Sequence, residues 1–333
     1  MYLQSLLSQL QELRVLVIGD LMLDHYIWGD VHRISPEAPV PVVQVSNDSF
    51  TAGGAANVAL NLTNLGVRTS VMGYIAHDDA GNKLEQILGD SQVAVLNPYQ
   101  HSTIPTIIKT RVLVRSQQLC RIDRELGREH YRIDAAPGFE EMLENALANT
   151  DAVILSDYAK GVVTQTLVDC LMKMAKQFPR LLVAVDPKPA RRLSFTGAGL
   201  LTPNRAEALE LAGMSTLQPE ENYPLHEICA RIHEIYKPDL LVITLGVEGM
   251  AICNNGKVVE HLPTAAQQVF DVSGAGDTVI AILTAALAAG AEPSQAARLA
   301  NAAAGCVVAH MGTAPVTLEE LHFSLERASG VVL

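Results

Sequence analysis

Asp271-Val272-Ser273-Gly274-Ala275-Gly276-Asp277 runs without interruption into TVIAILTAALAA (278–289), a glycine-rich turn followed by an apolar helix that Gly290 ends. Small residues at 274–276 let the backbone approach a ligand closely. At a helix amino terminus the free N–H groups point outward, at the positive end of the helix dipole. The segment therefore reads as an anion hole. A carboxylate at 277 beside it is placed to take a proton from a hydroxyl while the amides stabilise charge on a transferring phosphoryl group. The same letters also suit a purely structural aspartate on a glycine-rich turn, so the companions of this segment decide between the two readings.

Working outward, four short apolar runs read as buried parallel strands: Arg14–Gly19, Ala152–Leu155, Leu181–Val185 and Leu240–Leu245. Helical patterns lie among them at Ala55–Leu65, Thr164–Gln177 and Glu227–Tyr236, each followed by a Gly or Pro stop signal. Alternating strand and helix with both sheet faces covered predicts an α/β fold with a largely parallel sheet. Two stretches break the rhythm, 26–46 (with EAPVPVVQV) and 104–125 (IPTIIKTRVLVRSQQLCRIDRE), and neither leads into a helix. They are expected to form a small antiparallel sheet standing apart as a lid. Asn255-Gly256 between apolar stretches signals a hairpin. With no repeat, low-complexity tract or flexible linker, a single domain over 1–333 is expected, with no second catalytic domain.

The composition narrows the function. With 333 residues, 49% hydrophobic, the chain has material for a large core, and no apolar run approaches the roughly 18 residues that span a bilayer. The opening MYLQSLLSQLQELRV reads as an amphipathic lead-in helix, not a signal peptide, and a cytoplasmic location is expected. A net charge of −12 disfavours nucleic acid and anionic lipid as partners. Cysteines 120, 170, 229, 253 and 306 are scattered in apolar surroundings and read as reduced core residues. The ten histidines show no paired metal-ligand spacing, which argues against zinc.

Two common phosphate devices are absent: no GxxxxGK[ST] occurs, and the first strand continues as GDLMLD where a dinucleotide fold has GxGxxG. Carboxylates do cluster at strand ends. Asp20 and Asp24 follow the first strand, and Asp157 and Asp186 follow later ones, at the edge where open α/β sheets bind ligands. Asp20 and Asp24 are candidates to accept hydrogen bonds from sugar hydroxyls, although Asp20 also suits a turn. Lys188 is a candidate phosphate contact or a surface residue. Lys109, Arg111, Arg115, Arg121 and Arg124 concentrate positive charge in the lid of an acidic chain. On a strand 109, 111 and 115 share a face, which suits a clamp on a substrate phosphate or, more simply, a solvated face.

Taken together, the motifs resemble those of the PfkB/ribokinase family of carbohydrate kinases. Gly53-Gly54-Ala55-Ala56-Asn57 resembles its amino-terminal signature, in which a di-glycine opens a helix and the Asn contacts the sugar, and DVSGAGD resembles its carboxy-terminal one. Asn204 and Glu207 match its NxxE element, associated with Mg²⁺ and phosphate. Thr244, Gly246 and Gly249 match its nucleotide-binding strand end, and Asn301 a position near the adenine. The resemblance implies a ribokinase-like three-layer sandwich with a β lid, ATP as phosphoryl donor and Asp277 as base beside the 274–276 amides. It also implies Mg²⁺ held through water near Asn204 and Glu207, and a monovalent cation such as K⁺ near the Asp271 loop and 304–312.

Within the family, 19–42, 109–125, LSDYAKG (155–161) and DPK (186–188) are similar to the kinase half of the bifunctional heptose protein of lipopolysaccharide synthesis. That resemblance implies phosphorylation of D-glycero-β-D-manno-heptose 7-phosphate on its anomeric hydroxyl. The HxGH nucleotidyltransferase usual in that family is not found in the chain. The exposed edges of lid strands invite a homodimer joined through the lids. The rival readings are a kinase of fructose, ribose or a phosphohexose, a silent sugar or nucleotide sensor, and a nucleotide-dependent oxidoreductase. The basic lid, the intact GAGD and the missing dinucleotide fingerprint argue against them in turn.

Overall fold

The computed structural model describes residues 6, 8–96, 103–115, 117–214, 222–266, 268–310 and 312–328. In chain order the elements begin with β1 (Arg14–Gly19), β2 (Leu21–Ile34), β3 (Pro41–Gly54), α1 (Ala55–Asn64), β4 (Arg68–Met72), α2 (Asp79–Asp90) and β5 (Ala94–Val95). There follow β6 (Ile108–Val114), β7 (Gln117–Arg124), α3 (Phe139–Leu147), β8 (Ala152–Ser156), α4 (Gln165–Ala175), β9 (Leu182–Asp186), β10 (Leu200–Leu201) and α5 (Arg205–Leu211). The chain continues through α6 (Leu225–Tyr236), β11 (Leu240–Thr244), β12 (Met250–Asn254), β13 (Lys257–Leu262), α7 (Ala275–Ala288), α8 (Pro293–Val307) and α9 (Leu318–Ala328).

Nine strands make one sheet in the order β13-β12-β11-β10-β9-β8-β1-β4-β5. It is parallel from β11 to β5, and the β12–β13 hairpin adds an antiparallel edge, turning at Asn255-Gly256 as the sequence suggests. The apolar runs are continuous because both faces are covered. On β1, Val15 and Val17 pack with α1, α7 and α8, while Leu16 and Ile18 pack with α3, α4 and α6. The three layers follow from that division.

Since β1 pairs with β4 on one side and β8 on the other, the chain changes direction around it, and a crevice opens at the strand carboxyl ends. After Asp20 alone, the chain leaves β1 for a second, four-stranded sheet ordered β3-β2-β6-β7. Its two hairpins are antiparallel, and β2 and β6 pair in parallel at the seam between them. The lid strands are longer than the apolar pattern suggests. β2 starts at Leu21, and β3 runs on to Gly54 through the polar stretch Ser46–Ser49, which carries no hydrophobic signal.

Leu6 and Leu10 of the lead-in helix are buried; residues 1–5 and 7 of that expected helix lie outside the described residues. The cysteine expectation needs one correction. The packing of α6 on β12 brings Cys229 and Cys253 together, Cα atoms 6.3 Å apart, joined as a disulfide, while Cys120, Cys170 and Cys306 are free. No helix among the described residues is long and apolar enough to cross a membrane.

Candidate active site

Asp277 lies in the first turn of α7 and is only 2% exposed. Gly274 caps that helix at φ 82°, where a side chain is strained, and a Cβ there would come within 2.8 Å of Asn57 Nδ2. A Cβ on Gly276 would meet nothing within 4 Å. The fold therefore leaves the 276 position open, as close approach of a ligand to the backbone requires. Ala275 begins the helix beside them.

Two side chains hold the Asp277 carboxylate. Asn57 Nδ2 donates to Oδ2 at 2.8 Å, and the Tyr158 hydroxyl donates to Oδ1 at 2.5 Å. Burial raises the pKa of Asp277 to about 6, against these two hydrogen bonds, which pull it down. A base poised there is ionised at neutral pH yet keeps appreciable proton affinity. Asn57 itself is buried, and its Oδ1 has no partner among the described residues, so an acceptor remains beside the base. Gly53 and Gly54 deliver α1 to this spot. A Cβ on Gly53 would strike Asp24 Oδ2 at 2.3 Å, and one on Gly54 the Asp20 carbonyl at 2.5 Å.

Tyr158 had no signal in the sequence beyond its place in LSDYAKG. What holds it is Asp20, which the sequence reading offered as a sugar ligand and which the structure places otherwise. Asp20 is 0% exposed, and its carboxylate accepts backbone N–H bonds from Tyr158 (2.8 Å), Lys160 (3.0 Å) and Val162 (3.0 Å). It anchors the loop after β8 and has no open face for a ligand. Asp157, also buried, accepts from Ala159 N at 2.8 Å and lies 3.5 Å from Arg191 Nη1. Burial and the nearby Asp20 carboxylate push its pKa up to about 7. Asp186, partly buried at the end of β9, is held well above the usual carboxylate range by burial and by Glu207 and Asp277.

The lid brings only part of its basic cluster to the site. Arg111 is ion-paired with Asp24 and stacks over Tyr26. Lys109 sits 5.4 Å over the Tyr158 ring, and burial, then Lys160, lowers its pKa. No ion pair engages it among the described residues. Arg121 pairs with Asp123. Arg115 is a correction: a bulge at Val112/Leu113 breaks the alternation, and the residue lies at the exposed turn of the β6–β7 hairpin, 3.7 Å from Asp30. Six residues of strand separate it from Lys109, roughly 20 Å.

On the far side, Asn204 and Glu207 are the capping box of α5. Asn204 Oδ1 accepts from Ala206 N and Glu207 N, and Glu207 Oε2 accepts from Asn204 N. Lys188 Nζ bonds Glu207 Oε1 at 2.8 Å. With its oxygen doubly occupied, Asn204 has no lone pair for direct coordination. No group of three His, Cys, Asp or Glu among the described residues is placed to hold a metal ion. The acidic edge formed by Asp157, Asp186 and Glu207 thus suits a cation reached through water or phosphate oxygens. Gly249 and Asn301 meet the segment after β13, while Thr244 ends β11 opposite Met250 and Gly246 opens the turn that follows. A Cβ on Gly249 would meet Leu262 O at 2.0 Å, and Asn301 Nδ2 donates to Pro263 O at 2.7 Å. Asp271 accepts from Ser273 N and Gly312 N, tying its loop to the segment after α8.

Known proteins resemble this chain in sequence and in fold. The profile of pfkB family carbohydrate kinases matches residues 12–320. The Bifunctional protein HldE of Desulfatibacillum aliphaticivorans is 42% identical over 313 residues. That match covers 94% of this chain but 63% of the relative, so the chain spans less than two thirds of its length. Among solved structures, phosphofructokinase-2 from Escherichia coli in complex with substrates and products aligns with a TM-score of 0.77 at 19% identity, over 95% of this chain and 100% of that one. Ribokinase from Arabidopsis thaliana complexed with ribose and ATP aligns with a TM-score of 0.71 at 20% identity, over 94% and 98%. At these identities the two structures speak for a common fold. With the signature segments, the buried carboxylate at the start of α7 and a profile match over most of its length, the chain belongs to the pfkB family of carbohydrate kinases.

Proposed function

We propose that the chain is an ATP-dependent kinase of D-glycero-β-D-manno-heptose 7-phosphate, forming the 1,7-bisphosphate at the anomeric hydroxyl in ADP-heptose and lipopolysaccharide core synthesis. The observation that carries the kinase reading is the Asp277 carboxylate, buried beside an open stretch of amino-terminal amides. The heptose assignment rests on the resemblance of 19–42, 109–125, 155–161 and 186–188 to the heptose kinases, and on the HldE relative.

Asp277 takes the proton of the sugar hydroxyl, and the N–H groups of 274–276 stabilise charge on the γ-phosphoryl group in flight. Asn57 Oδ1 and Asp24 accept hydrogen bonds from other sugar hydroxyls. Lys109, which has no carboxylate of its own, faces the sugar's distal phosphate with Arg111 behind it. Thr244, Gly246, Gly249 and Asn301 line the nucleotide side, and Lys188 lies between the nucleotide phosphates and Glu207. Asp157, Asp186 and Glu207, the last held in place by Asn204 N, would hold Mg²⁺ through water, and the ion would neutralise phosphate charge there. A K⁺ ion would be held at the Asp271 loop, to which Gly312 is tied. Closure of the lid excludes water from the transfer.

The lid also carries exposed apolar residues, Ile34, Val40, Val45, Leu119 and Ile122 among them. A second copy of the chain covers this surface in the proposed homodimer, and a monomer in sedimentation at micromolar concentration rules that out. The substrate is tested by ADP release with heptose 7-phosphate, fructose 6-phosphate, fructose and ribose. Heptose 7-phosphate is expected to give the highest kcat/KM; a preference for fructose or ribose ends the heptose reading.

A further inference from the structure

We infer that Tyr158 is the positioning residue of the catalytic base, its hydroxyl locking the Asp277 carboxylate in the orientation that receives the sugar proton. This rests on Asp277 being the base. Three elements clamp the tyrosine in place. Its backbone N–H is held by Asp20 Oδ2, the preceding amide donates from Asp157 N to Asp186 O at 3.1 Å, and the Lys109 ammonium lies over its ring. Burial, then the Asp277, Asp186 and Asp24 carboxylates, keep the phenol well above its ordinary pKa, so it stays protonated. A protonated phenol has one proton to donate, and Asp277 Oδ1 is 2.5 Å away.

With Asn57 on Oδ2, the carboxylate has a donor on each oxygen and cannot rotate without breaking one. Each oxygen keeps a second lone pair for the incoming hydroxyl. The arrangement is that of a base oriented by a third group. Because the bond is made to the charged form, it also lowers the base's proton affinity. The charges facing this pair are Asp24 from β2, paired with Arg111, Lys109 from β6, and Asp186 from the end of β9. On the loop itself are Lys160 and Asp157, the latter beside Arg191. All of them persist when only the phenol oxygen is removed.

The test is the pH profile of kcat/KM for Tyr158→Phe and for protein carrying a ring-fluorinated tyrosine at 158. The Phe variant is expected to move the acidic limb to higher pH by about half to one unit, lowering kcat roughly two- to fivefold at pH 6 and less at pH 8, with KM for ATP unchanged. The more acidic fluorinated phenol moves the limb the other way. Should the Phe variant fail to fold, the fluorinated protein decides alone. An acidic limb that stays in place in the folded proteins overturns the inference, even if kcat falls. Asp277→Asn separates the two claims. Turnover retained in that variant removes the base itself, whereas a dead Asp277→Asn with an unmoved Tyr158 limb removes only the role given to the tyrosine.

Discussion

The turn after β1 and the first turn of α7 each bury an aspartate, and the two are held in opposite ways. Asp20 is held by three backbone N–H groups, which the fold fixes and which cannot yield to a ligand. Asp277 is held by two side chains, Asn57 and Tyr158, one on each oxygen, which leaves each oxygen a second lone pair for an arriving hydroxyl. Burial and charge are alike at the two sites. The donor set is what separates a carboxylate that holds a loop from one free to take a proton.

The largest effect on the fold is expected from Asp20→Ala. It strands three N–H groups in a buried loop at roughly 1–3 kcal/mol each, so the folded state should lose about 3–9 kcal/mol in denaturant unfolding. Asp20→Asn, which keeps an acceptor, should cost less. A loss under about 1 kcal/mol for Asp20→Ala would erase the contrast with Asp277.

The second effect has the opposite sign. The pKa of Asp277 is raised from 3.8 to about 6, so the folded state binds that proton more tightly than the unfolded state. Its contribution to stability therefore declines as pH rises from roughly 4 to 6 and is level above. Asp277→Asn removes that decline. Its stability relative to wild type should climb over the same window by about 1–3 kcal/mol, the upper figure being the full shift with no cost for the lost acceptor. Thermal melts at a series of pH values measure it, and a gap that narrows with rising pH would show the carboxylate is not strained by burial. Asp157, raised to about 7, acts in the same direction in both proteins and cancels from the difference.

Asn204 belongs with Asp20, since its oxygen also serves backbone N–H groups. Asn204→Ala should cost about 1 kcal/mol as a lost cap, with a rise in the Mg²⁺ concentration needed for half-maximal rate if the neighbouring Glu207 carries the ion's water. The smallest effect is expected from Arg115→Ala. Exposed at the lid turn with only a long contact to Asp30, it should change stability by no more than about 0.5 kcal/mol and leave sugar KM unaltered.

The sequence made one of these aspartates readable and disguised the other. Asp277 follows glycines whose spacing has a chemical reason, and the structure keeps Gly276 open as that reason requires. The continuous apolar strands were equally legible, because a sheet covered on both faces leaves no polar alternation. Asp20 stands at a strand end where ligands bind, yet nothing local reveals that the amides of residues 158, 160 and 162 converge on it from 138 to 142 positions away. Tyr158 escaped for the same reason: a tyrosine in a loop has no periodicity, and its partner is 119 residues distant. Arg115 misled because strand alternation was extended through a bulge and into a turn. The asparagine-to-glutamate spacing at 204–207 was visible, but it is first a capping box, so the pattern alone does not separate helix start from metal site.

The central claim is tested most directly by turnover in Asp277→Asn, with ADP release measured at saturating ATP and heptose 7-phosphate and ATP binding followed in parallel. The account predicts a folded protein that binds ATP normally and turns over about 10²–10⁴-fold more slowly, or less. A folded Asp277→Asn protein working near the wild-type rate would contradict it.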